Sequence, residues 1–174
     1  MQKDLPENNI LNTDSRMEKL DPFRDGELSY SGLMTPEQRE IWIHMQIDPQ
    51  ATLCYNECVS LDLAGELNVE AFKKAINLLC IRHESLRMTF SPNGKFFFIN
   101  SNAKVDINFI DATEDFELKT AQRKKEQVES PLDLLKGPCF RIDLLKKSET
   151  QWTVLLCLHH IICDGWSMAV LLND

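Results

Sequence analysis

Hydrophobic and polar residues follow a helical period first and a strand period next in the middle of the chain. Thr35, Pro36 and Gln38 supply an N-cap, a proline at the first helical position and a capping-box side chain, and apolar residues then recur at helical spacing. This pattern predicts a helix over residues 36–46. In residues 55–63, mostly apolar side chains instead alternate with mostly polar ones, which is typical of a strand with one buried face.

The pattern that follows predicts one helix and three strands. Asn68 can cap a helix whose apolar residues recur at positions i, i+3, i+4 and i+7. Residues 86–90 and 95–99 flank a Ser-Pro-Asn-Gly sequence, which favours a hairpin. Residues 105–110 are a further candidate strand.

The last part of the chain predicts a charged helix, two strands and a final helix. Residues 113–129 are helix-prone, with a largely solvated surface and few apolar side chains to bury. Residues 139–145 and 152–158 are strand candidates, and the second is almost continuously apolar, so we expect it inside a sheet that is covered on both faces. It leads into a loop, and the apolar residues 167–172 predict a helix after that loop.

The composition is that of a folded domain of ordinary size. The 174 residues are 43% hydrophobic and 26% charged. Residues 1–28 have no sustained period, so we expect them to form a flexible leader or linker. The formal net charge of −8 argues against nucleic acid and against a basic membrane-binding patch.

Six cysteines are present, but the first residues do not resemble a signal peptide. We therefore expect a soluble, cytoplasmic protein in which most of the sulfurs act as small hydrophobic groups. No metal is expected, because the cysteines lack the spacing of a zinc site. The longest apolar run, 154–163, is too short to cross a bilayer.

Candidate chemistry lies in residues 159–167, His-His-Ile-Ile-Cys-Asp-Gly-Trp-Ser. An imidazole can accept and return a proton near neutral pH. His159 and His160 should point to opposite faces of an extended backbone, so that one reaches a cavity and the other is held by the structure. Asp164 could orient a ring or pair with an arginine, and Gly165 permits a tight turn or close approach of a substrate. The two histidines alone are also typical of a satisfied buried pair, with Asp-Gly as an ordinary turn.

The whole segment resembles the H-H-x-x-x-D-G motif of the condensation domains of nonribosomal peptide synthetases, members of the chloramphenicol-acetyltransferase-like superfamily. Residues 82–90, Arg-His-Glu-Ser-Leu-Arg-Met-Thr-Phe, resemble the family's R-H-E-x-L-R-T-x-F motif. Residues 35–42 are similar to its A-Q-x-R-L-W motif, with Glu40 in place of the arginine. Heterocyclisation domains are similar but carry aspartate in place of both histidines, and epimerisation domains place tryptophan after the serine. The resemblance therefore favours amide formation.

The resemblance implies an α/β fold of the chloramphenicol-acetyltransferase-like type. Residues 29–174 would form its N-terminal subdomain, a mixed sheet covered by helices, and the C-terminal subdomain would be absent. The implied reaction transfers an aminoacyl or peptidyl group from a carrier-bound thioester to the amino group of a carrier-bound amino acid. Upstream and downstream peptidyl carrier proteins would bring both substrates on 4'-phosphopantetheine, beside an adenylation domain. The chain would need no cofactor of its own, and we expect the fragment alone to be inactive.

The resemblance also implies roles for individual residues. His160 would contact the attacking amine, either as a base or by stabilising the developing ammonium. His159 and Asp164 would hold the loop, and Gly165 would let the backbone approach the thioester. Three further side chains are assigned to substrate binding or structural support: Trp166, Ser167 and Arg87.

Two questions stay open from the sequence. Arg87 could pair with Asp164, or it could be a solvated charge on a strand. The chain could also belong to a carrier-independent acyltransferase that uses acyl coenzyme A, or to a non-catalytic module that only docks a carrier.

Overall fold

The protein is described by a computed structural model that covers residues 28–48, 50–101 and 105–174. Except for Leu28, the expected leader therefore lies outside the described residues. Five helices and seven strands are present in the described part of the chain. The helices are α1 (Pro36–Ile47), α2 (Ala51–Cys54), α3 (Val69–Arg82), α4 (Phe116–Glu129) and α5 (Gly165–Asn173). The strands are β1 (Leu28–Leu33), β2 (Asn56–Ala64), β3 (Met88–Phe90), β4 (Phe96–Asn100), β5 (Ile107–Asp111), β6 (Phe140–Ser148) and β7 (Gln151–His159).

Most of the predicted elements are confirmed with small shifts at their ends. The capping box of α1 forms, because the Thr35 hydroxyl accepts from Gln38 N and the Gln38 side chain accepts from Thr35 N. Asn68 caps α3 in the predicted way. Three elements were not predicted, namely β1, α2 and a 3-10 helix at Glu84–Arg87. The first two are short or lie at the edge of the aperiodic leader, so their sequences carry little periodic signal.

The strands form two separate sheets. The smaller sheet has the order β1-β4-β3, with β4 antiparallel to both neighbours. The larger sheet has the order β2-β7-β6-β5, in which β5 runs parallel to β6 and the other pairs are antiparallel. The larger sheet is therefore mixed. No helix in the described ranges is long and apolar enough to cross a membrane.

The larger sheet is covered on both faces, as the sequence of β7 predicts. Phe72, Ile76 and Leu79 of α3 pack against the main core, which includes Val154 and Leu158 of β7. Helix α4 lies against the opposite face, where Cys157 of β7 contacts Gln127 O. Burial on both sides explains why β7 is almost continuously apolar.

Helix α4 differs from the prediction in how it packs. Leu118 and Val128, two of the few apolar side chains that residues 113–129 could bury, are exposed, whereas Thr120 and Gln127 are buried. Gln127 is buried because a charged group lies beneath the helix. Asp143 on β6 is 2% exposed, and its carboxylate accepts hydrogen bonds from three side chains of α4 and β5. These donors are Arg123 Nε at 3.0 Å, Gln127 Nε2 at 2.8 Å and Asn108 Nδ2 at 3.0 Å.

Candidate active site

The two histidines at the end of β7 lie in different environments, as predicted from the alternation of an extended strand. His159 is fully buried, with 0% exposure. Its Nδ1 accepts from Ile161 N at 3.2 Å, so the proton of the neutral ring lies on Nε2, which is 3.5 Å from Thr52 Oγ1. The His160 side chain remains 38% exposed. One imidazole is therefore held inside the structure, and the other is open to a reactant.

Burial keeps His159 in its neutral form. Removal from water, together with a smaller effect of the nearby His160, lowers the pKa of His159 from 6.5 to about 4. The ring consequently acts as a hydrogen-bonding unit of the turn, accepting at one nitrogen and donating at the other. This arrangement supports the predicted role of His159 in holding the loop.

His160 has a carboxylate on one side and an aromatic ring on the other. Its Nδ1 lies 2.6 Å from Glu57 Oε1, but the two groups are not aligned as a hydrogen bond, so the contact is an ion pair when the ring is protonated. The ring is stacked on Tyr55, with centroids 6.5 Å apart and planes 10° apart. No described residue bonds Nε2 of His160. That nitrogen is the free one.

Backbone and side-chain hydrogen bonds from two other elements fix the turn after β7. His160 N donates to Tyr55 O at 2.8 Å, which extends the pairing of β2 and β7 by one residue. Gln38 Nε2 of α1 donates to Ile161 O at 3.2 Å. Gln38 belongs to the motif of residues 35–42, so the helix that carries this motif is hydrogen-bonded directly to the histidine turn.

Asp164 is the N-cap of α5 and is exposed. Its Oδ1 accepts from Ser167 N at 2.8 Å and from Ser167 Oγ at 2.7 Å. These two hydrogen bonds lower the pKa of Asp164, and His160 adds a smaller effect in the same direction. Asp164 and Ser167 therefore begin the helix that follows the site, which is a structural role of the predicted kind.

The possible ion pair between Arg87 and Asp164 does not form, and the reading of Arg87 as a solvated charge is also wrong. Arg87 Nε donates to Cys80 O at 2.9 Å, and its Nη1 donates to Asn100 O. The guanidinium thus joins the last turn of α3 to the end of β4, because unpaired carbonyls at a helix end need donors. Arg87 supports the structure without contacting the histidine turn.

Gly165 and Trp166, at the start of α5, both border open space. Gly165 is the first residue of α5 and does not need the left-handed backbone region, so the tight-turn reason for a glycine is wrong here. A Cβ at this position would meet no atom within 4 Å, which leaves open space beside the backbone. Trp166 is 80% exposed, so it stabilises little within the described residues.

One apolar cavity formed by described residues lies away from the histidines. It has a volume of about 410 Å³ and opens between α3, α5 and the larger sheet. Its lining is almost entirely apolar and includes Leu61, Phe72 and Leu171, but neither His159 nor His160. Chemistry at His160 would therefore take place at the open turn and not inside this cavity.

Glu57 and Tyr55 are site residues that the sequence analysis did not select. The available signal was the position of Glu57, which shares the more buried face of β2 with Val59, Leu61 and Leu63. A carboxylate on an apolar face needs a partner. The partner, His160, is distant in the sequence, so only the pairing of β2 with β7 reveals it.

Comparisons with known proteins agree with the fold and with the motifs. A component of the linear gramicidin synthase of Brevibacillus parabrevis is 36% identical over 143 residues, which are 79% of this chain and 2% of that protein. A component of the surfactin synthase of Bacillus subtilis (strain 168) is 33% identical over 143 residues, which are 81% of this chain and 4% of that protein. The chain thus spans only a small part of these synthetases.

A solved structure shows the same fold. The starter condensation domain of the rhizomide synthetase RzmA matches with a TM-score of 0.74 at 24% identity, over 82% of this chain and 37% of that one. The predicted α/β fold of the chloramphenicol-acetyltransferase-like type is confirmed. The family model described as the condensation domain matches residues 31–174. The chain therefore belongs to the condensation-domain family of nonribosomal peptide synthetases.

Proposed function

We propose that residues 29–174 are the N-terminal subdomain of a condensation domain that forms peptide bonds, and that His160 is its reacting imidazole. The observation that carries the proposal is the unequal state of the two histidines. His159 is buried, neutral and hydrogen-bonded at both ring nitrogens. His160 is partly exposed and has Nε2 free on an anchored turn.

The proposed reaction needs little covalent help from the protein. The amino group of the acceptor attacks the thioester carbonyl of the donor, a C–N bond forms, the C–S bond breaks, and the departing sulfur takes up a proton as the amine loses one. His160 Nε2 accepts a hydrogen bond from the amine, or takes its proton. Correct positioning of two reactants supplies roughly 7–11 kcal/mol, and a base adds roughly 10²-fold to 10⁴-fold. Positioning is therefore the larger contribution.

Glu57 is proposed as a positioning residue for His160. Its carboxylate lies at Nδ1, on the side of the ring away from the free nitrogen. A carboxylate on the Nδ1 side would hold the ring in an orientation that keeps Nε2 available to the amine. Tyr55 holds the plane of the ring by stacking.

The partners follow from the proposed reaction. Upstream and downstream peptidyl carrier proteins would present both substrates on their 4'-phosphopantetheine arms, an adenylation domain would stand beside the condensation domain, and a C-terminal subdomain would complete it. We place the protein in the cytoplasm, where these synthetases would find ATP-activated amino acids and a reducing environment for their thiols. Trp166, exposed on α5, is available to contact substrate or the second subdomain.

The test uses the complete condensation domain of the parent protein with both carriers loaded. His160→Ala should lower single-turnover peptide formation by about 10²-fold or more while carrier binding stays unchanged. His83→Ala is the matched control, because this histidine contacts Asp174 instead of the site residues. Unchanged peptide formation by His160→Ala would overturn the role of this imidazole.

Two further measurements separate the rival functions. Peptide formed from a loaded carrier, and not from the same acyl group on coenzyme A, would exclude the acyl-coenzyme-A alternative. Carrier binding without any rate loss in His160→Ala would favour a docking module. Glu57→Gln should lower kcat while KM for the carriers stays constant, and an unchanged kcat would refute the positioning role.

A further inference from the structure

Two cysteines face each other across β2 and β7, on the sheet face that α4 covers. Cys58 and Cys157 are direct partners in the antiparallel register. The backbone hydrogen bonds at the two ends of these strands show whether Cys58 and Cys157 form a hydrogen-bonded or a non-hydrogen-bonded pair. His160 N donates to Tyr55 O at one end, and Gly65 N donates to Thr150 O at the other, so hydrogen-bonded pairs fall on the odd-numbered residues of β2. Cys58 and Cys157 therefore form a non-hydrogen-bonded pair.

Non-hydrogen-bonded pairs suit a covalent link between strands. Their Cα atoms lie about 4.5 Å apart, with the side chains close together. A disulfide accepts Cα separations of about 4.4 to 6.8 Å. The backbone thus already holds these two residues at a spacing that a disulfide can bridge, without movement of either strand.

The two thiols differ in exposure and in acidity. Cys58 is exposed and borders a cavity of about 270 Å³ between β2 and α4, whereas Cys157 is buried. Hydrogen bonding by Cys157 lowers the pKa of the Cys58 thiol, and the charge of Arg141 lowers it further, although burial opposes both effects. The same contact and burial raise the pKa of Cys157. Cys58 is the thiol that ionises first.

Arg141 completes a row of three residues across the sheet. It is the register partner of Cys157 on β6, so the order across the strands is Cys58, Cys157, Arg141. One terminal nitrogen of the guanidinium donates to Ser130 O, and none of the described residues accepts from its Nε. This cation lies next to Cys157 and one strand further from Cys58, and its charge favours the thiolate form of both cysteines.

We propose that Cys58 and Cys157 are a redox-sensitive pair, in which Cys58 reacts with a peroxide and Cys157 resolves the product as a cross-strand disulfide. The Cys58 thiolate attacks hydrogen peroxide, which gives Cys58 sulfenic acid and hydroxide. The Cys157 thiol then displaces water from the sulfenic acid, so the S–S bond forms as the S–O bond breaks. The peroxide is reduced, both cysteines are oxidised by one electron each, and a dithiol reductant reverses the change.

The disulfide would act next to the candidate active site. Cys58 follows Glu57, and Cys157 lies two residues before His159. Among the described strands, β2 stands at the edge of the larger sheet, with β7 as its neighbour. A covalent link would fix this edge strand, and with it Glu57, against β7.

The test oxidises the intact chain with stoichiometric hydrogen peroxide and maps its disulfides by mass spectrometry without reduction. Cleavage after Glu57 separates Cys58 from Cys54, and cleavage after Leu158 separates Cys157 from Cys163. We expect a Cys58–Cys157 peptide that disappears on treatment with dithiothreitol. Cys58 should also react with iodoacetamide about fivefold or more faster than Cys54, the exposed cysteine outside the pair.

Variants separate the two roles. Cys157→Ala should leave a sulfenic acid on Cys58 that dimedone traps, and Cys58→Ser should abolish both the disulfide and the trapped adduct. Cys54→Ser is the matched control and should oxidise as the wild type does. The proposal is overturned if Cys58 pairs with another cysteine, reacts no faster than Cys54, or passes to sulfinic acid without a disulfide. Mapping in the wild type decides the question even if Cys157→Ala folds poorly.

Discussion

The buried histidine at the end of β7 should make the protein sensitive to acid in a defined pH window. His159 has a pKa of about 4 in the folded protein and 6.5 without the structure. Between these values the unfolded chain binds a proton that the folded chain excludes. Stability from this group is therefore complete above pH 6.5 and is lost as the pH falls toward 4. At about 1.4 kcal/mol per pH unit, the loss across the window is about 3 kcal/mol.

Urea unfolding at pH 4.5 to 7.5 measures this effect. His159→Gln keeps a hydrogen-bonding side chain without a titrating group, so its free energy of unfolding should depend less steeply on pH than that of the wild type. The variant should be less stable at pH 7, and the gap should narrow as the pH falls. His44→Gln removes an exposed histidine from α1 and is the matched control. Parallel curves for the wild type and His159→Gln would show that His159 is not held neutral by burial.

Three substitutions elsewhere should lower the free energy of unfolding in urea. Gly94→Ala should cost about 2 kcal/mol or more, since Gly94 has φ +64° and an added Cβ would overlap the buried Trp42 ring; no loss would show that the turn can adjust. Asp143→Ala should cost about 3 kcal/mol, because it leaves Arg123 and two amide donors without their carboxylate; a loss below about 1 kcal/mol would show that water replaces it. Thr35→Ala removes the N-cap of α1 and should cost about 1 kcal/mol, with Thr35→Ser retaining most of the stability, and equal losses in both variants would point away from the cap.

The regular elements could be predicted because their signals are local. The capping box at Thr35, the stripe on α3 and the apolar run of β7 all act within one element, and each is found where expected. The motif resemblance identified the histidine turn for the same reason, since its residues are contiguous.

The contacts between distant segments could not be read from the pattern. Gln127 of α4 is buried because its side chain bonds the Asp143 carboxylate beneath the helix, and no rule of helix periodicity selects polar side chains for burial. Glu57 became a site residue only through the register of β2 with β7. Arg87 bonds two carbonyls, one from α3 and one from β4, so its guanidinium is held between these elements and not at Asp164.

Because His159 and His160 are adjacent, the site is sensitive to a shift in the register of β7. A shift of β7 by a single position would exchange the surroundings of the two imidazoles, placing a buried, neutral ring where an open one is needed. The bond from the amide of His160 to the carbonyl of Tyr55 closes the ladder at the point where such an error would matter most. The proposed role of His160 then depends on the alignment of the backbone, and we predict that insertions or deletions in β2 abolish the proposed peptide formation even when the chain still folds.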